Sequence, residues 1–171
     1  MRPIAIIVAL VFAGGPAAAQ SWREYAYPDD AFSVAFPADP KIETTTYQAV
    51  DGRPVAARVY SVSQDGGVFK MTVADLPDTA VPENAVLDHA VKTLSQGGEI
   101  KVDIPHRISR IYGRQLSITA PDGSRSSIAV FYHKQRLYQI EGTALPAGGN
   151  ATADAIRFQQ SLTFTDDSTN R

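Results

Sequence analysis

Six basic side chains stand between residues 104 and 140: Arg107, Arg110, Arg114, Arg125, Lys134 and Arg136, against the single acid Asp122. A guanidinium presents its donors as a planar fork that matches a carboxylate or phosphate, so such a run points to recognition of an anion. Arg110, Arg114 and Arg136 would form that site if they converged, with Lys134 at a hairpin tip and His106 on the same set of strands. Strand parity restricts the idea. Arg107 and Arg110 have opposite parity, and Arg114 shares the parity of the apolar Leu116 and Ile118. The competing reading is a solvated strand face whose acidic partners lie on neighbouring elements.

Other chemistry is sparse. The chain has no cysteine, which excludes disulfide frameworks, thiolate metal sites and cysteine nucleophiles together. Gly123-Ser124-Arg125-Ser126-Ser127 lacks the second glycine of a nucleophile elbow and joins strands. No phosphate-binding loop, dinucleotide fingerprint or paired-histidine zinc motif is present, so no catalytic residue, cofactor or metal ligand is assigned. The three histidines, His89, His106 and His133, have no ligand spacing. His106 and His133 are the first candidates of the alternative reading, an enzyme or metal-dependent protein with a site assembled from distant residues. Asp29-Asp30 reads as a polar turn and not as a calcium loop, which needs more ligands. Trp22, Tyr25 and Tyr27 read as a staple holding the N-terminal segment to a sheet; exposed, they would instead form a partner-binding patch.

The elements that must position these residues follow from periodicity. Residues 32–36 alternate with period two and stop at Pro37. Runs 44–50, 55–64 and 68–76, separated by Asp51-Gly52-Arg53-Pro54 and Asp65-Gly66-Gly67, predict a three-strand meander. Val86, Leu87, Ala90, Val91 and Leu94 fall at helical spacing after Pro82. Strands are then predicted over 100–111, 114–120, 124–133 and 137–143, with short hairpins at 121–123 and 134–136. Residues 128–132 are apolar at both parities, the pattern of a strand covered on both faces. A second helix carries Ala155, Ile156, Phe158 and Leu162. The sum is an α+β domain: an antiparallel sheet of about seven strands with two principal helices in flanking layers.

Tyr27-Pro28-Asp29-Asp30-Ala31-Phe32-Ser33-Val34-Ala35-Phe36-Pro37 resembles the opening of PsbP-like and Mog-type domains, where an extended segment leads into a Phe-x-Val-x-x-Pro strand. Arg136-Leu137-Tyr138-Gln139-Ile140 resembles their late strand, and Phe158-Gln159-Gln160-Ser161-Leu162 their closing helix. The resemblance spans residues 20–171 as one domain. It implies an antiparallel sheet between helical layers and carries no activity, because that superfamily serves many roles on one fold.

Residues 1–19 have the form of a secretory signal peptide: the basic Arg2, an apolar run from Ile4 to Ala13, and small Ala17 and Ala19 before a cut at Gln20. The run is too short to span a bilayer, which takes about 20 residues. A periplasmic or secreted bacterial protein is therefore expected, without stable membrane insertion after processing. A net charge of −2 excludes a general nucleic-acid binder, which needs a clear basic excess. The sequence thus predicts an exported accessory or binding module whose partner is an envelope protein or an anionic ligand.

Overall fold

The computed structural model describes residues 22–77 and 81–165. The leader read over residues 1–19 lies outside the described residues. Ten strands and two helices follow in chain order. They are β1 (Arg23–Tyr27), β2 (Phe32–Phe36), β3 (Lys41–Gln48), β4 (Pro54–Gln64), β5 (Gly67–Asp75), α1 (Glu83–Leu94), β6 (Glu99–Ile108), β7 (Ile111–Thr119), β8 (Arg125–His133), β9 (Arg136–Ala144), α2 (Ala151–Gln160) and β10 (Thr163–Phe164).

Two antiparallel meanders, β3-β4-β5 and β6-β7-β8-β9, join along β5 and β9 into one seven-stranded sheet, ordered β3-β4-β5-β9-β8-β7-β6. This is the α+β arrangement expected from the period-two runs. Residues Ile128, Ala129, Val130 and Phe131 of β8 are buried on both faces, as their unbroken apolar run predicts. Both helices lie against the sheet, one on each face. Val86, Leu87, Ala90 and Val91 of α1 pack on Leu116, Ile118, Ile128, Val130 and Leu137. Phe158 of α2 and Leu162 join Met71, Val73, Phe131, Tyr138 and Ile140 on the opposite face. No helix among the described residues is long and apolar enough to cross a membrane.

The structure departs from expectation in a second, three-stranded sheet, ordered β1-β2-β10. The 32–36 strand belongs to it, lying over the α2-side face with Phe32, Val34 and Phe36 fully buried. β1 pairs along the whole of β2, which brings Tyr27 to 4.3 Å from Tyr60 and lays Trp22 edge-on to Phe69 at 5.3 Å. The aromatic trio is therefore a staple. A second difference is that the run 100–111 is not one strand: the chain turns at Ser109 and Arg110, with Ser109 at φ 54.

Two close approaches depend on glycine. A Cβ on Gly142 of β9 would lie 2.4 Å from the Ala155 carbonyl oxygen, so the missing side chain is what lets α2 settle onto the sheet. Gly113 of β7 stands between His106 and Phe131 in register, and its bare backbone lets those rings meet at 5.6 Å.

Candidate functional site

The expected cationic residues separate on folding. Arg114 sits on the α1 side of the sheet, with Leu116 and Ile118, whereas Arg136 sits on the α2 side, with Tyr138 and Ile140. Successive strand residues point to opposite faces, so the three-guanidinium site of Arg110, Arg114 and Arg136 is not assembled. Arg114 is instead held by two acids: Nε donates to Asp103 Oδ1 at 2.9 Å, and its terminal nitrogens bind Asp103 and Asp88. These bonds raise its pKa further, Asp103 foremost. Arg107 lies over the Tyr112 ring at 5.9 Å. Arg110 and Lys134 do share one end of the sheet, because the β6–β7 and β8–β9 hairpins both close there. Arg110 borders a small pocket of about 180 Å³ with Glu83, Tyr112 and His133.

The two histidines of the alternative reading each rest on an aromatic ring, His106 on Phe131 and His133 on Phe164. Burial lowers the pKa of His106. No group of three metal-ligating side chains occurs among the described residues.

Arg136 belongs to a charged cleft of about 430 Å³ that the sequence did not reveal. It lies where the turn Pro28–Asp30 crosses the middle of β4 and the adjoining ends of β5 and β9. Asp30 is only 4% exposed. Arg58 Nε donates to both of its carboxylate oxygens at 2.9 Å, and the Tyr60 hydroxyl donates to Oδ2. The other two guanidinium nitrogens of Arg58 reach Asp75 at 2.7 and 3.0 Å. Arg136 closes the set, donating from Nη1 to the Asp29 carbonyl at 2.8 Å and lying 3.3 Å from Asp75. Bonds from Asp75 and Asp30 raise the Arg58 pKa, the Arg58 fork lowers that of Asp75, and burial followed by the Asp30 bond raises that of Tyr60. Every strong donor here already faces an acceptor. This network fixes the second sheet to the first. One signal was available: Arg58 shares the parity of Tyr60 and Val62, and a charge in an inward-facing row requires a buried partner.

A different place is left unfilled. α2 packs on β9, β5 and β8, while β6 carries Val102 and Ile104 on the same face at 40% and 48% exposure. Between Val102 and Ile156 of α2, itself 42% exposed, runs a groove of about 330 Å³, with Ile104 next along the same row. Its floor includes the cross-strand pair Ser117 and Ser127 beside Gln115. Arg125 and Thr152 stand at one end, joined by a 3.3 Å hydrogen bond from Arg125 Nη2 to Thr152 Oγ1. Sequence reasoning missed Val102, Ile104 and Ile156 because their parity and spacing are those of core residues. Only the position of α2 shows that no element among the described residues covers them.

Two stacked antiparallel sheets with a helix on either side of the larger one define an α+β two-sheet class. Its arrangement is similar to that of cyanobacterial PsbP (CyanoP) from Synechocystis sp. PCC 6803, known from a solution structure, with a TM-score of 0.56. The likeness covers 90% of this chain and 98% of that one at 12% sequence identity. The fold is therefore PsbP-like, and at that identity the likeness speaks for the fold alone. A crystal structure of a protein of unknown function from Pseudomonas aeruginosa, described as a putative regulator, is similar at a TM-score of 0.39 and 12% identity, over 74% of this chain and 85% of that one. No family model matches the sequence, and no curated protein matches it.

Proposed function

We propose that this chain is an exported binding module without catalytic activity, cleaved before Gln20 and working in a bacterial periplasm. It holds its ligand or partner on the open half of the α2-side face. The observation that carries this reading is the groove between β6 and α2. Val102 and Ile156 wall it and Ile104 stands beside Val102, three large aliphatic side chains each at least 40% exposed and grouped on one face. Exposed apolar carbon grouped in a concavity with a few polar groups is the usual make-up of a binding site. Arg110 and Lys134 at the hairpin end supply cationic charge that draws anionic partners toward the molecule. Basic residues there do not need to meet at one point to steer an encounter.

Site-specific photocrosslinking in the native host tests this proposal. A benzoylphenylalanine at position 104 or 156 is expected to give a discrete adduct in the envelope fraction. The same probe at Ile42, more exposed than either at 54% and on the opposite edge strand, is expected to give none. Equal labelling from all three positions would contradict the assignment of the face.

A further inference from the structure

We infer that the groove beside α2 takes an amphiphilic anion: one aliphatic chain ending in a carboxylate. The chain would lie along Val102, Ile104 and Ile156, with the head at Arg125. This rests on the reading of the groove as the binding face and names what binds there. Val102 and Ile104 form one row, since their partners across β7 are Ser117 and Gln115, and Ile156 faces Val102 across the groove from the helix. The floor between is low, because the Ser117–Ser127 pair has only short side chains. Apolar walls on a low floor make a channel, and exposed aliphatic carbon gains by leaving water.

The head position follows from Arg125. Its guanidinium is exposed and makes one 3.3 Å bond to a neutral hydroxyl, with no ion pair among the described residues. Arg58, Arg114 and Arg136 are by contrast each held by aspartate. A carboxylate would satisfy the fork of Arg125 without displacing an existing ion pair. The edge of β6 disfavours an added peptide strand or a second copy of the chain. Pro105 has no N–H to offer, and the pairing shifts by one residue between Ile100 and Val102. The volume, about 330 Å³, suits a small molecule at the lower end of ligand pockets.

Calorimetric titration of the purified protein with decanoate, hexanoate and decyltrimethylammonium, each below its micellar concentration, tests the inference. Decanoate is expected to bind at one site, and hexanoate, four methylenes shorter, about 250-fold more weakly when all four are buried, because each methylene removed from water contributes about fourfold. Ile156→Gln and Val102→Asn are each expected to weaken decanoate about fivefold, since they remove apolar wall. Arg125→Gln should weaken decanoate several-fold and leave decyltrimethylammonium unchanged. All three replaced side chains are exposed, so an unchanged melting temperature is expected in each variant. Decanoate binding that none of the variants alters would overturn the inference. Tighter binding of decyltrimethylammonium, still weakened by Ile156→Gln, would overturn the anionic ligand while leaving the groove as the binding face. No binding by any of the three probes would overturn the ligand class, leaving crosslinking at position 104 to judge the face independently.

Discussion

Asp30 is the most exacting residue in the molecule, a carboxylate 4% exposed with its acceptors taken by Arg58 and Tyr60. Removing Arg58 leaves that charge buried without its cation, and breaking a buried pair from one side costs about 3 kcal/mol. Arg58→Met should therefore lower the urea-unfolding free energy by about that amount. Arg23→Ala, which breaks the exposed pair with Asp39, should change it by less than about 0.5 kcal/mol. Equal losses would mean that the Arg58 network does not anchor the second sheet. His106 gives a pH signature. Burial holds its folded pKa below the ordinary 6.5, so near and below that pH the unfolded chain takes up a proton that the folded one refuses. Its contribution to stability is complete above 6.5 and is lost as the pH falls through the folded value. Melting temperatures at about pH 7.5 and about pH 5.5 should fall further apart in the wild type than in His106→Gln. An equal fall in both would show that His106 is not the group responsible.

The β9–α2 contact sets the position of the groove wall. In Gly142→Ala the new methyl would meet the Ala155 carbonyl and Cα at 2.4 and 2.7 Å, and neither backbone atom can swing away. A loss of about 1–3 kcal/mol is expected in chemical denaturation. Gly97→Ala, with nothing within 4 Å of its new carbon, should stay within about 0.5 kcal/mol of wild type. Similar losses would mean that α2 does not depend on this approach. At the same scale, the meanders, both helices and the Lys134-Gln135 hairpin were legible, because alternation, helical spacing and turn position are local properties. β10 was not legible. Its two residues become a strand only by pairing with Ser33 and Phe32, more than a hundred positions away in sequence. The break at Ser109 and Arg110 was hidden because Ser109 takes a positive φ of 54° without being the glycine or asparagine that usually signals one.

For the molecule as a whole, charge counted along the chain did not survive folding into three dimensions. The basic stretch opened at Ile104, one residue beyond Asp103, and the acids that neutralise Arg114 and Arg136 come from β6, α1 and β5. What distinguishes the molecule is instead an uneven covering of the larger sheet. One half of the α2-side face is buried under α2 and the second sheet, while the face at residues 102–104 lies open. Amide-resolved NMR of the nitrogen-15-labelled protein, titrated with an extract of the native envelope, tests that claim most directly. Shifts are expected at residues 102–106, 115–117, 125–127 and 152–156. Shifts gathered instead at Asp29, Arg58, Asp75 and Arg136 would contradict the account and move the binding site to the charged cleft.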